Sequence, residues 1–110
     1  MNPEERRRHP RKPVQDRAVL HRDGEGAHPA LYGTALDISP SGMRLKLKQA
    51  LEVGERVTVV IHLDGYPGSF RLTGETRWST AVHGDKSFLL GIELDGVQDA
   101  GLESWHKVFD

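Results

Sequence analysis

The chain has 110 residues, a formal net charge of −1 and no cysteine. This length allows one domain with one modest core, and the lack of cysteine excludes disulfides, thiolate metal sites and cysteine nucleophiles. The charge is unevenly placed, because residues 1–22 hold seven Lys or Arg against three acids, whereas residues 23–110 hold eight against thirteen. A basic arm on a mildly acidic body suits a small anion better than a nucleic acid duplex, whose binders usually spread positive charge over a folded face.

The first element is a polar, charged arm, residues 1–13, which three prolines interrupt. Each proline restricts its predecessor to extended geometry, so the arm is predicted not to be helical. It contains an R-x-x-x-R motif that runs from Arg7 to Arg11. We predict that residues 1–13 are a flexible arm that becomes ordered on a ligand, and that residues 14–110 form the folded domain.

Beyond the arm, apolar and polar residues alternate with a period of two, which is typical of half-buried strands. The expected strands cover residues 14–21, 30–38, 43–48, 56–63, 70–81 and 88–94. Turn residues rich in Gly, Pro and Asp separate them. Six such strands predict an all-β fold, an antiparallel sheet closed as a barrel or a sandwich.

The C-terminal segment changes period. Leu102, Trp105 and Phe109 stand at i, i+3 and i+7, which predicts the apolar stripe of a short helix. Asp95 or Asp99 is the expected N-cap of this helix. Trp105 is predicted to anchor the helix on the sheet.

A second motif, D-x-S-x-x-G, formed by Asp37, Ser39 and Gly42, lies in the expected turn between the second and third strands. A carboxylate accepts hydrogen bonds from paired donors such as guanine N1–H and N2–H₂, and a hydroxyl donates to a phosphate or a base. Glycine permits a tight turn and a close approach. Arginine binds phosphate oxygens bidentately and matches guanine N7 and O6. Taken alone, the R-x-x-x-R motif also fits a solvated basic tail, and the D-x-S-x-x-G motif also fits a plain hairpin connection.

Four motifs in order resemble the PilZ domain family, bacterial receptors for the second messenger cyclic di-GMP. Besides R-x-x-x-R and D-x-S-x-x-G, the segment Gly74 to Trp78 resembles the family's G-x-x-R-W strand. The segment Leu90 to Leu94 resembles its closing G-I-x-F strand, with Leu94 where phenylalanine is common. We expect this replacement of phenylalanine by leucine to affect the packing of the core and not ligand binding. The resemblance covers nearly the whole chain and implies a six-stranded antiparallel β-barrel with a short C-terminal α-helix.

The same resemblance assigns roles to the motif residues. It implies that Arg7 and Arg11 clamp phosphates and guanine faces. It further implies that Asp37 and Ser39 read a guanine edge, and that Gly42 allows the close fit.

Three more residues carry expectations about the site. A cation just before the first motif arginine accompanies an intercalated ligand dimer in the family, so Arg6 either contacts a second ligand molecule or is a solvated side chain. Trp78 is in phase with Phe70, which favours a place in the core or at the barrel rim over stacking on a base. Arg77 is expected on the face opposite Trp78, where a solvent-exposed role is favoured over a contribution of charge near the ligand.

No catalytic site is expected. Ser39 and Ser41 lack the G-x-S-x-G context of a hydrolase nucleophile, no phosphate-binding glycine loop is present, and the six histidines show no metal-ligand spacing. We therefore expect a protein that is not an enzyme, with no metal and no cofactor besides the ligand. No apolar run approaches a membrane span or a signal peptide, so a cytoplasmic protein without membrane association is expected.

The expected function is that of a cyclic di-GMP receptor that changes conformation on binding and signals through an unidentified effector protein. The ligand is expected as a single molecule or as an intercalated dimer. One alternative is a protein-interaction module on the PilZ scaffold with little or no ligand binding. The other is a small nucleic-acid-binding barrel, which the acidic body and the lack of an aromatic, basic strand face disfavour.

Overall fold

The computed structural model describes residues 11–24, 28–98 and 101–110. The described residues form six strands and one short helix. The elements are β1 (Lys12–Arg22), β2 (Leu31–Ser39), β3 (Gly42–Leu47), β4 (Arg56–Ile61), β5 (Phe70–Val82), β6 (Ser87–Val97) and α1 (Leu102–Lys107). All neighbouring strands are antiparallel, and the order β1-β2-β3-β6-β5-β4 closes into a barrel because β4 pairs with β1. The predicted fold is confirmed.

The core follows from the alternation in the sequence. Leu20 of β1 lies opposite Val59 of β4, which lies opposite Leu72 of β5. Leu45 of β3 lies opposite Leu90 of β6, and all five side chains are fully buried. Because successive side chains of a strand point to opposite faces, closing the sheet places one face of every strand inside the barrel.

A β-bulge in β5 changes which residues reach the outer surface. The pairing of β5 with β6 shifts register between Thr76 and Trp78. A bulge inserts one extra residue and so reverses the side-chain phase beyond it. Thr76 is fully buried, whereas Trp78 is 40% exposed. Trp78 is therefore not in phase with Phe70, and the core, one of the two places expected for it, is excluded.

Helix α1 is held on the barrel by Trp105, as predicted. Its indole is fully buried and packs edge-on against Phe70 and Phe109, with ring centroids 5.3 and 5.1 Å apart. The indole Nε1–H donates to the carbonyl of Pro40 at 3.2 Å. The helix is therefore tied to the turn between β2 and β3.

Two details of the predicted helix are wrong. Leu102 is 54% exposed, and Val108 is buried in its place. The helix starts after Gly101 with no side-chain cap, because Asp95 lies within β6, too far back to reach the helix, and pairs with Arg56; Asp99 lies outside the described residues. In the described part of the chain, no helix has the length and apolar character needed to cross a membrane.

Candidate functional site

The turn between β2 and β3 is a hairpin with two linking residues. Ser39 pairs with Gly42, and two positions further along the same two strands, Asp37 pairs with Arg44. Asp37 and Ser39 are 7% and 6% exposed. The Ser39 hydroxyl donates to the backbone carbonyl of Gly42 at 3.3 Å, which closes the turn. This part of the site is held by backbone pairing on both strands.

The Asp37 carboxylate is held between two arginines. Arg11 Nη1 donates to Oδ1 at 2.9 Å, and Arg44 Nε donates to Oδ2 at 2.5 Å. The carboxylate is nearly buried, but the side chains of Arg11 and Arg44 are 54% and 43% exposed. Burying a carboxylate is costly unless it is paired and hydrogen-bonded, so the two guanidinium groups stabilise the charge of Asp37 in this position.

Both arginine partners of this carboxylate line a depression of about 550 Å³. Its lining residues come from the end of the arm, from the hairpin and from the facing strands β5 and β6. They are Arg11, Ser39, Ser41, Gly42, Met43, Arg44, Arg77, Trp78, Gly91, Ile92, Glu93 and Leu94. The lining thus combines arginines, an exposed indole and small residues, which are groups that bind phosphates, stack on bases and permit close approach.

Two glycines shape this depression. A Cβ at Gly91 would overlap the indole of Trp78, so the ring lies directly on the backbone of β6. A Cβ at Gly42 would lie 3.1 Å from the carbonyl oxygen of Ile92, which is tighter than ordinary van der Waals contact. Glycine at these positions lets the indole and the hairpin lie closely on β6.

Arg77 lies at the rim of the same depression as Trp78, and not on the opposite face as expected. Its guanidinium forms a bidentate pair with Glu93, with distances of 3.0 and 2.9 Å, and contacts Glu75 at 3.2 Å. The hydrogen bond from Arg77 lowers the pKa of the Glu93 carboxyl, and the same bond raises the pKa of Arg77. Arg77 is one cation facing two carboxylates, whereas Arg11 and Arg44 are two cations on one carboxylate, so the excess positive charge of the rim comes from Arg11 and Arg44.

The structure brings four of the six predicted ligand residues together. Arg11 and Asp37 are in direct contact, and Ser39 and Gly42 line the depression beside them. Arg6 and Arg7 lie outside the described residues. No group of three His, Cys, Asp or Glu side chains within residues 11–24, 28–98 and 101–110 is placed to hold a metal ion.

Three contributors to the site were missed or misplaced from the sequence. The motifs do not include Arg44. A hairpin with two linking residues nevertheless pairs Arg44 with Asp37, counting back from the pair of Ser39 and Gly42. Trp78 lies outside the core, one of its two expected places, because the bulge in β5 has no clear sequence signal. Leu94 packs against the core, as expected, and it also lines the depression.

Comparison with known proteins assigns the family. A model of the PilZ domain matches residues 5–105, so the chain belongs to the PilZ domain family, whose members are receptors and adaptors. The match includes both motifs and the G-x-x-R-W and G-I-x-F segments. No curated protein sequence matches the chain.

Solved structures share the fold at low sequence identity. The inhibitor of motility MotI/DgrA from Bacillus subtilis has a TM-score of 0.75 at 12% identity, over 94% of this chain and 49% of that one. MrkH from K. pneumonia in complex with c-di-GMP has a TM-score of 0.73 at 17% identity, over 94% and 51%. The PilZ domain of Escherichia coli YcgR with c-di-GMP has a TM-score of 0.68 at 17% identity, over 94% and 88%. The chain thus spans about half the length of the first two proteins.

Proposed function

We propose that this PilZ domain is a cyclic di-GMP receptor that binds its ligand in the depression beside Asp37. One observation carries the proposal: the nearly buried Asp37 carboxylate is paired with an exposed arginine of the R-x-x-x-R motif, Arg11, and this arginine lines the depression. The structures of MrkH and of the YcgR PilZ domain, both described with c-di-GMP, support it by analogy of fold.

The chemistry of recognition starts at Asp37. Guanine N1–H and N2–H₂ form a pair of donors that a carboxylate accepts. In the structure, Arg11 donates to Oδ1 and Arg44 donates to Oδ2. We propose that the guanine edge replaces Arg11 on Asp37 while Arg44 keeps the carboxylate in place. Arg11 then becomes available for a phosphate or for a guanine face.

The other lining residues complete the proposed site. Ser39 is placed to hydrogen-bond the ligand, Gly42 leaves room for it, and the exposed indole of Trp78 offers a stacking surface. Arg7 is proposed as the second clamp of the R-x-x-x-R motif. Arg6 is proposed to contact a second ligand molecule if the ligand binds as an intercalated dimer.

The exchange of Arg11 from Asp37 to the ligand gives the arm a new position when the ligand binds. The protein would signal by presenting this changed surface to a partner protein. The proposal includes no catalytic step and no metal or other cofactor, and it places the protein in the cytoplasm as a receptor for a nucleotide messenger.

Isothermal titration calorimetry with cyclic di-GMP tests the proposal. A bidentate arginine–guanine contact is worth about 1–3 kcal/mol, so Arg7→Ala or Arg11→Ala is expected to weaken binding by about 5- to 150-fold. Arg71→Ala, which removes an exposed arginine from another part of β5, serves as the control. Failure of the wild type to bind at high micromolar ligand, or equal affinities in all four proteins, would contradict the proposal.

The same titration gives the stoichiometry. Two ligand molecules per chain, falling to one in Arg6→Ala, are expected for an intercalated dimer. A stoichiometry of one ligand molecule per chain in both the wild type and Arg6→Ala would show that Arg6 is a solvated side chain that contacts no second ligand molecule.

One observation favours the alternative of an interaction module with little ligand binding. Arg11 and Arg44 each donate to one oxygen of Asp37, so the carboxylate has protein partners for both of its oxygens. The calorimetric titration separates the two functions, since only the receptor function requires saturable binding that depends on Arg11.

A further inference from the structure

A second depression, of about 680 Å³, lies on the outer surface of β1, β2 and β3. We call it the tyrosine surface and define it by the outward side chains Arg17, Val19, Tyr32, Thr34, Lys46 and Lys48. It shares no lining residue with the depression beside Asp37. Neither the PilZ motifs nor the proposed ligand site accounts for these residues.

Tyr32 is the centre of the tyrosine surface. It is 75% exposed, more than Trp78 or Leu102, so its ring contributes little to the packing of the barrel. Tyrosine and arginine are the side chains that most often dominate protein interfaces, because a large flat ring gains contact area at low conformational cost. An exposed tyrosine next to Arg17 and Val19 therefore has the composition of an interface centre.

The charge of the tyrosine surface opposes that of the rest of the domain. Three cations, Arg17, Lys46 and Lys48, surround Tyr32. The Asp85 carboxylate lies 2.6 Å from Lys46 Nζ and 4.0 Å from Lys48 Nζ, and Arg17 makes no ion pair in the part of the chain that the structure describes. Since acids outnumber bases in residues 23–110, this concentration of positive charge selects an acidic partner.

The closed barrel restricts how a partner can bind here. Each of β1, β2 and β3 is paired on both sides, so no edge is free to accept an added strand. A partner must therefore contact side chains. A single-stranded nucleic acid is disfavoured because Tyr32 is the sole aromatic residue among those that line this surface, whereas such binders use several stacking rings.

We propose that the tyrosine surface binds an acidic segment of a partner protein, with an apolar side chain of that segment packed on the Tyr32 ring. The carboxylates of the segment pair with Arg17 and Lys48, and compete with Asp85 for Lys46. This surface is separate from the ligand site, so the proposal does not depend on cyclic di-GMP binding.

Fluorescence anisotropy with a labelled twelve-residue peptide of alternating Glu and Leu tests the proposal on the full chain. Saturable binding is expected in low salt. Tyr32→Ser and Lys48→Glu are each expected to weaken it by about tenfold, as for a central interface residue. Both side chains are highly exposed, so the variants should fold. Lys107→Glu, an exposed charge reversal on α1, is the matched control.

A gain-of-affinity variant strengthens the test. Asp85→Asn removes the carboxylate that engages Lys46 and is expected to tighten peptide binding by about two- to fivefold, since an exposed ion pair is worth up to about 1 kcal/mol.

Three outcomes would overturn the proposal. The first is the absence of saturable peptide binding. The second is peptide binding that Tyr32→Ser and Lys48→Glu leave unchanged and Arg7→Glu abolishes. The third is that a twelve-residue oligothymidylate binds more tightly than the peptide and that Tyr32→Ser abolishes this binding. The second outcome would assign the peptide to the arm, and the third would assign the surface to nucleic acid.

Discussion

The two halves of the ligand site are held in different ways. Asp37 and Ser39 are 7% and 6% exposed and lie in paired strands, and the turn between β2 and β3 accepts a hydrogen bond from Trp105. Arg11 has a side chain that is 54% exposed, precedes the first residue of β1, and contacts Asp37 through one guanidinium nitrogen. The first half is part of the fold, and the second half is attached to it by a contact that we propose the ligand replaces. Substitutions that remove the support of the first half should therefore mainly lower stability, and substitutions of Arg11 should weaken binding more than stability.

The largest expected effect is a loss of stability on removal of Trp105, the side chain that ties α1 to the hairpin. Trp105→Ala removes a fully buried indole and its hydrogen bond to Pro40, and is expected to lower the free energy of unfolding by about 3–5 kcal/mol. Leu102→Ala, on the same helix but 54% exposed, is expected to change it by less than about 0.5 kcal/mol. Urea unfolding followed by circular dichroism measures both. Equal losses of unfolding free energy in the two variants would show that α1 does not support the barrel.

Arg11→Ala tests the other half of the comparison. Asp37 is nearly buried but keeps Arg44 as a partner in this variant, so the free energy of unfolding should fall by about 1–2 kcal/mol, whereas cyclic di-GMP binding weakens by about 5- to 150-fold. Urea unfolding of the variants used for calorimetry gives the answer. A loss of several kcal/mol in Arg11→Ala would mean that the arm is part of the fold.

The stacking role proposed for Trp78 can be tested without changing Trp78 itself. Gly91→Ala places a methyl group where the indole lies, so the ring must move from its position over β6. Stacking of a base on an aromatic ring is worth about 1–3 kcal/mol, and we expect both Gly91→Ala and Trp78→Ala to weaken binding by about tenfold. Thr80→Ala, at an exposed position of the same strand as Trp78, is the control. Unchanged affinity in Trp78→Ala would exclude stacking.

The smallest expected effect concerns Asp85, beside the tyrosine surface. Hydrogen bonds from Lys46 and Ser87 lower the pKa of its carboxyl from 3.8 to about 2. Because the folded value is the lower one, its stabilisation is present above pH 3.8 and is lost as the pH falls to about 2. A carboxyl-carbon NMR titration should show this pKa, and Lys46→Ala should raise it. A titration of Asp85 near 3.8 in the wild type would contradict the ion pair with Lys46.

The strands could be predicted from the sequence because alternation with a period of two directly encodes one buried face. Their phase could not always be predicted, since the bulge before Trp78 inserts one residue without a distinctive sequence signal. In the helix, the apolar stripe correctly identified Trp105, but such a short helix leaves Leu102 exposed and buries Val108 just after its end.

The site was predictable to the extent that its motifs are local. Asp37, Ser39 and Gly42 lie within one hairpin, so their proximity follows from six residues of sequence. The contact of Arg11 with Asp37 depends on the pairing of β1 with β2, which the sequence does not specify on its own. The roles of Arg6 and Arg7 stay predictions.

The measurement that tests the guanine-reading role of Asp37 most directly is a calorimetric comparison of cyclic di-GMP with cyclic di-AMP. Adenine lacks the N1–H and N2–H₂ donors that the carboxylate is proposed to accept, and a site built for such donors rejects a ligand without them. We expect the wild type to prefer cyclic di-GMP by at least about 100-fold, and Asp37→Asn to lose most of this preference while the control Asp64→Asn retains it. Equal affinity of the wild type for both dinucleotides, or a preference that Asp37→Asn leaves intact, would contradict this account.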